Sequence, residues 1–192
     1  MKNITFVTTN KGKYNSAKKV LADYNIDVIH KNISLPESQD GSLEEIATNK
    51  AIYAYNLVHS PLLTMDAGFF IPSLHEFPGI FAHYVVDTLG VEGLLRLTQD
   101  KDKSAEFREV LCYLESPEKE PKLFYRVVKG RLSNQIRGKL HAGHWSELAL
   151  VFIPQNYTQT MAEMSQETFE KFQREVDSNS HWEQFARFFS SE

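Results

Sequence analysis

The side chains able to do chemistry collect in three short stretches in the first half of the chain. The first is Thr8-Thr9-Asn10-Lys11-Gly12-Lys13, a polar turn after the apolar run Ile4-Thr5-Phe6-Val7. The backbone amides that open a helix are unpaired and sit at the positive end of its dipole, so a helix beginning here favours an anion. Thr8, Thr9 and Asn10 would add side-chain donors and Lys13 a formal charge, although capping alone uses the same residue types. The second stretch is Ser42-Leu43-Glu44-Glu45. Its spacing matches a capping box, with Glu45 folding back on Ser42; the other reading of Glu45 is a cation ligand facing the first turn. The third is Asp66, which ends the apolar run 62–65 and precedes Ala67-Gly68. A carboxylate at a strand's C-terminal end lies where α/β sheets place their chemistry, and a turn-forming aspartate has the same signature.

Other reactive types carry less. The chain has no Gly-x-x-x-x-Gly-Lys-Ser/Thr, no His-Glu-x-x-His and no Gly-x-Ser-x-Gly. His141 and His144 form a lone His-x-x-His that lacks the further ligands a metal site needs. Cys112 stands between Leu111 and Tyr113 and reads as a small buried hydrophobe.

The elements that must position these residues follow from periodicity. Residues 4–8 read as a strand, and Tyr14, Ala17, Val20, Leu21 and Tyr24 fall at helical spacing. Residues 26–29 form a second strand and 34–41 a polar loop. A second helix carries Leu43, Ile46, Ala47, Ala51, Ala54 and Leu57 on one face, and 62–65 is a short buried strand. This β-α-β-α-β opening belongs to an α/β sheet with ligands at its strand ends. Further on, 78–97 reads as helical with a break near Gly90, and 105–114 and 122–129 as a hairpin around residues 115–118. Residues 131–140 extend the meander, 148–153 is an apolar strand, and helices over 165–176 and 181–189 finish the chain. With no repeat and no long linker, a single domain over 1–192 is expected.

Composition narrows the class. A chain of 192 residues that is 42% hydrophobic and 24% charged is large enough for a globular core. No apolar run approaches 18 residues, so no membrane span is expected. An N-terminus that opens on a strand leaves no room for a signal peptide, and one cysteine fits a reducing cytoplasm. A net charge of −4 argues against general nucleic-acid binding. The first 20 residues nevertheless hold five lysines and no acid, which suits a phosphate ligand or ordinary solvated lysine.

Taken in order, the pieces resemble one family. Thr8-Thr9-Asn10-Lys11-Gly12-Lys13 resembles its Ser/Thr-Gly-Asn-x-x-Lys opening, with Thr9 for the glycine. Leu43-Glu44-Glu45-Ile46-Ala47-Thr48-Asn49-Lys50-Ala51 is similar to Phe-x-Glu-Asn-Ala-x-x-Lys-Ala, and Met65-Asp66-Ala67-Gly68-Phe69 to Asp-Asp-Ser-Gly-Leu. Phe77-Pro78-Gly79-Ile80-Phe81 resembles Ala-Pro-Gly-Val-Tyr. Phe152-Ile153-Pro154, Tyr157 and Ala162-Glu163-Met164 match Phe-x-Pro, Gly-Tyr and Ala-Glu-Met, and Ser180-His181 falls where Ser-His-Arg is expected. This is the inosine triphosphate pyrophosphatase, or non-canonical purine NTP pyrophosphatase, family, and the likeness is collinear over the whole chain. It implies an elongated, two-lobed α/β fold, a mixed sheet flanked by helices around a central cleft, and a homodimer. It also implies hydrolysis of a nucleoside triphosphate to monophosphate and pyrophosphate with Mg²⁺. By the same likeness Thr8, Asn10, Lys13 and Lys50 would hold phosphate oxygens, Ser180 and His181 would complete the substrate contacts, Glu45 and Asp66 would bind the metal, and Asp66 with Lys13 would form the catalytic pair.

The departures cluster on the base side. Met65 replaces the first acid of Asp-Asp. Trp145-Ser146-Glu147-Leu148-Ala149-Leu150 stands where Gly-Phe-Gly-Tyr/Trp-Asp-Pro is usual, Phe169 where a lysine is expected, Trp182 at the arginine of Ser-His-Arg, and Ala82-His83-Tyr84 where bacterial members have Ser-Ala-Arg. Three readings follow: a pyrophosphatase with altered or relaxed base choice, a degenerate member that binds a nucleotide or a protein without turnover, or a standard enzyme whose base contacts lie outside the aligned positions. An apolar pocket lined by Leu148, Ala149, Phe169 and Trp182, with Trp182 stacking on the base, would favour ITP over ATP by no more than about 100-fold.

Overall fold

The computed structural model of the protein describes residues 2–36, 40–141, 143–144 and 146–191. Trp145 and residues 37–39 of the polar loop lie outside that set. The order of elements is β1 (Lys2–Val7), α1 (Lys11–Ala22), β2 (Ile26–Lys31), α2 (Leu43–Val58), β3 (Leu62–Phe70), β4 (Pro78–Gly79), α3 (Ala82–Leu97), β5 (Ser104–Leu114), β6 (Lys122–Leu132), β7 (Phe152–Pro154), α4 (Gln166–Asp177) and α5 (His181–Ser191). The sheet runs β2-β1-β3-β5-β6-β7, with β4 added to β3. Strand β1 pairs parallel to β2 and β3, whereas β4 on β3 and β7 on β6 are antiparallel. This is a mixed α/β fold, as the motif order implies.

The opening forms for the reasons periodicity supplies. Asn10 takes extended dihedrals and its Oδ1 accepts from the Lys13 amide, which starts α1. Ala17, Val20 and Leu21 then turn inward with Ile4, Phe6, Ile26 and Val28 from the strands. Ser42 and Glu45 close a full capping box on α2, and His59 ends that helix in the left-handed region at φ 50°.

The chain divides into two compact units. Unit 1 comprises residues 1–67, 109–126 and 177–192; unit 2 comprises 68–108 and 127–176. Each has its own core. That of unit 1 includes Ile4, Phe6, Leu63, Met65, Leu111, Tyr113, Trp182 and Phe185. That of unit 2 includes Phe69, Leu94, Leu132, Leu148, Phe152, Met161, Phe169 and Phe172.

Several boundaries differ from expectation. Strand β3 continues to Phe70, so Asp66 is its fifth residue and not its last. Pairing of β3 with β1 nevertheless covers only Leu62 and Leu63, which leaves Asp66 just beyond the parallel ladder. The helix placed at 78–97 starts at Ala82, because Pro78 and Gly79 pair with Phe70 and Phe69; its break at Gly90 is present, at φ 71°. Residues 133–140 do not extend the meander, since β6 ends at Leu132. The apolar run 148–153 is a 3-10 turn, Glu147–Leu150, before the short β7: capping by Ser146 curls it, and period alone cannot separate a buried strand from a buried turn.

Gly68 is required by the β3–β4 pairing. A Cβ there would lie 2.7 Å from the Gly79 carbonyl oxygen and 2.7 Å from a Phe70 ring carbon. The carbonyl belongs to paired backbone and cannot swing aside. Gly68→Ala is therefore expected to cost about 1–3 kcal/mol, as overpacking does. Urea unfolding should show a lower midpoint at unchanged slope; an unmoved midpoint would contradict the close approach.

Candidate functional site

The turn 8–13 is both a helix cap and a set of donors. Thr8 Oγ1 accepts from the Asn10 amide at 3.1 Å, and Asn10 Oδ1 accepts from the Lys13 amide at 3.0 Å. Capping thus uses the acceptor atoms. The Thr8 hydroxyl hydrogen and the Asn10 amide group are left to meet an anion, so the two readings of this stretch do not compete. The backbone is held from below: the Thr8 amide donates to the Lys31 carbonyl, His30 Nε2 lies 2.8 Å from the Thr8 carbonyl, and Tyr14 stacks on His30 at 4.3 Å.

Two cations converge on the middle of β3. The Lys13 ammonium donates to the Met65 carbonyl at 3.3 Å. The Lys50 ammonium lies 3.5 Å from Asp66 Oδ1, with both side chains largely buried. Thr64 helps fix the strand against α2, its hydroxyl donating to the Ala47 carbonyl at 2.9 Å. Asp66 Oδ1 also accepts from the Ala67 amide at 3.0 Å, while Oδ2 has no partner among the described residues. The fold therefore brings Thr8, Asn10, Lys13, Lys50 and Asp66 into one unit. Met65, in the place of the family's first acid, is buried in the core of that unit.

Glu45 is exposed and occupied: its Oε2 accepts from the Ser42 amide at 2.7 Å. The capping reading made from spacing is the one the structure displays. Among the described residues no group of three or more His, Cys, Asp or Glu is placed to hold a metal. A magnesium ion bound through substrate phosphates asks for only one or two protein carboxylates. The His141 and His144 rings lie 3.7 Å apart, tilted by 38°, and both meet Phe169 edge-on.

Ser180 and His181 open α5 in full burial. Ser180 caps the helix rather than facing outward, its Oγ accepting from the Glu183 amide at 3.5 Å. Neither ring nitrogen of His181 has a hydrogen-bond partner among the described residues. Burial, assisted by the charges of Arg126 and Lys13, pushes its imidazole down to about 3 against the pull of Glu109, so at neutral pH the ring is uncharged. Glu109 Oε2 lies 3.8 Å from His181 Nδ1 and takes an ion pair from Arg126 Nε. Arg126 also donates to Asp177 Oδ1 at 3.1 Å. Burial opposes the Glu109 charge, but the charges of Arg126 and Lys13 and the Arg126 hydrogen bond more than offset it and hold the carboxyl below its usual range. Sequence reasoning missed Glu109 and Arg126. Their signal was an acid and a base within apolar strands, which motif order does not weigh.

The aligned base-side positions are not a pocket lining. Leu148, Ala149 and Phe169 are buried in the core of unit 2. Trp182 is 1% exposed, meets Phe6 edge-on at 5.2 Å and packs on His181 at 4.7 Å. A side chain so enclosed cannot stack on a base, which corrects the reading of Trp182 as a platform. Glu163 of Ala-Glu-Met is likewise structural: it binds Arg137 through Nε at 3.0 Å and caps Thr160.

No helix among the described residues is long and apolar enough to cross a membrane. The sequence model of the Ham1 family matches residues 4–178. A dITP/XTP pyrophosphatase of Methanopyrus kandleri is 38% identical over 165 residues, 85% of this chain and 85% of that protein. Another, of Saccharolobus solfataricus, is 33% identical over 189 residues, 98% of this chain and 94% of that protein. A solved HAM1 protein from Coxiella burnetii superposes with a TM-score of 0.78 at 23% identity, covering 100% of this chain and 98% of that one. The Ham1 protein of Staphylococcus aureus gives 0.73 at 22% identity, over 97% and 98%. These two likenesses carry the fold.

Two outcomes follow from the geometry. Trp182→Ala should act on folding, costing about 3–5 kcal/mol, and would show as a lower urea midpoint in the absence of any nucleotide. His181 is uncharged when folded and titrates near 6.5 when unfolded, so the unfolded chain binds the extra proton and acid destabilises. From pH 6.5 to 5, above the ordinary carboxylate range, His181 should contribute a loss whose slope grows from about 0.7 to about 1.4 kcal/mol per pH unit. His181→Gln should remove that part of the slope; an equal slope in both proteins would refute the buried neutral ring.

Proposed function

This chain belongs to the Ham1 family, and we propose that it hydrolyses nucleoside triphosphates bearing hypoxanthine or xanthine to the monophosphate and pyrophosphate. Relatives named dITP/XTP pyrophosphatase, alike over most of both chains, support the substrate class. The observation that carries the chemistry is the pairing of Asp66 with Lys50 at 3.5 Å, beside the Lys13 ammonium on the Met65 carbonyl.

In this reading water attacks the α-phosphorus, the bond from that phosphorus to the α,β-bridging oxygen breaks, and the electron pair leaves with pyrophosphate. Asp66 Oδ2 takes the water's proton, while Oδ1 stays anchored by Lys50 and the Ala67 amide, so the base is oriented before the substrate arrives. Lys13 and Lys50, with donors from Thr8 and Asn10, offset charge that moves onto the leaving pyrophosphate. Magnesium held by Glu45 and Asp66 would, when bound, neutralise phosphate charge. The family reading also carries a homodimer.

Asp66→Asn should keep the fold, since the amide oxygen can still meet Lys50 and the Ala67 amide, and should lower kcat by about 10²–10⁴-fold, the usual worth of a general base. The assay is pyrophosphate release from ITP or XTP with and without Mg²⁺. An unchanged rate would reject Asp66 as the base. Release of orthophosphate from the γ position, or full rate in a chelator, would reject the reaction as written.

A further inference from the structure

Unit 1 holds a buried charged cluster that the family motifs do not use. Glu109 and Asp177 share one guanidinium, Arg126, and the adjoining His181 is neutral, so the cluster carries one surplus negative charge. Two further cations answer it from different ends: Lys19 acts on Asp177, and Lys13 acts on Glu109 and His181. The function proposed above, on which this inference rests, commits Lys13 to the triphosphate. The Glu109 end of the cluster then loses part of its answering charge in a poorly solvated place, where a hydrogen-bond donor from the ligand is worth far more than in water.

Glu109 is the member of the cluster placed to receive it. Its Oε2 is taken by Arg126 and faces His181 at 3.8 Å; Oε1 has no partner among the described residues, and the side chain keeps 12% exposure. Behind it the fully buried His181 has two ring nitrogens without partners. A buried polar group left unpaired costs about 1–3 kcal/mol, so its persistence signals a missing water or ligand atom.

We propose that Glu109 is the specificity-determining residue for the base, its Oε1 accepting the N1–H of a 6-oxopurine while Arg126 holds the carboxylate in place. Hypoxanthine and xanthine both present an N1–H donor beside a C6 carbonyl. Adenine presents a bare lone pair at N1, which a carboxylate repels. Selection therefore survives the loss of the aligned base-side residues, because it moved to a strand position outside those motifs. It also exceeds the limit of about 100-fold expected of an apolar pocket, since a site that hydrogen-bonds a substrate N–H rejects the analogue lacking it far more strongly.

The test compares kcat/KM for ITP, 1-methylinosine triphosphate and ATP in the unaltered chain and in Glu109→Gln. The unaltered chain should favour ITP over both others by about 10³-fold or more, beyond the roughly 200-fold reach of an apolar pocket. Glutamine can turn its NH₂ toward the adenine N1, so E109Q should raise kcat/KM for ATP about 10-fold while lowering that for ITP. A purely structural role would lower both together, and that result in a folded variant overturns the proposal. A preference below about 200-fold in the unaltered chain overturns it even if E109Q does not fold, because the methylated analogue removes the N–H without touching the protein. Active hydrolysis with either adverse result leaves the pyrophosphatase reading standing; absence of pyrophosphate from every triphosphate overturns both.

Discussion

A single guanidinium holds unit 1 together at the places where its chain segments begin and end. That unit is assembled from residues 1–67, 109–126 and 177–192, and Arg126, the last residue of the second segment, bonds Glu109, its first, and Asp177, the first of the third. Segments far apart in sequence have no local reason to stay together, so their ends are where a fold of this kind loosens first. A buried ion pair is not in itself a large net stabiliser, because the attraction mostly offsets desolvation. Its force is conditional: once the cluster is buried, removing one partner strands the others at a cost of about 3–5 kcal/mol. The same constraint that fixes the segments also fixes the orientation of Glu109.

The end of the first segment is pinned by the same kind of interaction. Lys50 from α2 and Lys13 from α1 both reach the stretch Met65–Asp66 of β3, one through the carboxylate and one through the backbone. Two helices and the strand between their sites are thereby tied by groups that also suit a polyanion. Capping of the turn 8–13 takes oxygen acceptors and leaves donors. Stability and site chemistry are carried here by different atoms of the same side chains.

The residues proposed for the phosphate side could be picked out of the sequence because they are local. A turn between strand and helix, a capped helix start and a carboxylate closing an apolar run each announce themselves within a few residues, and the structure brings Thr8, Asn10, Lys13, Lys50 and Asp66 into one unit. The two opening helices and the hairpin strands followed from period. What failed was of another kind. The 3-10 turn at Glu147–Leu150 carries the same apolar content as a strand, and the extension of β3 past Asp66 depends on β4, a pairing partner two residues long. Burial of Ser180, His181 and Trp182 depends on Phe6 and Glu109, more than 70 residues away in the chain.

Long-range charge pairing is the harder case, and it changes how the departures from the family pattern are to be understood. Reading motif by motif, each lost polar residue on the base side counts as lost specificity. Leu148, Ala149, Phe169 and Trp182 are instead core residues of their units, and the hydrophobic surface they bury is the reason for their type. The polar groups of unit 1 did not vanish; they stand on β5 and β6, at positions 109 and 126, where an isolated acid or base in an apolar strand is easily read as a solvated face. Burial decides between those meanings. A half-exposed Glu–Arg pair is worth little, whereas Glu109 at 12% and Arg126 at 9% exposure, with an uncharged and unpaired histidine behind them, form a cluster whose charge must be answered from within the fold or by what the fold binds.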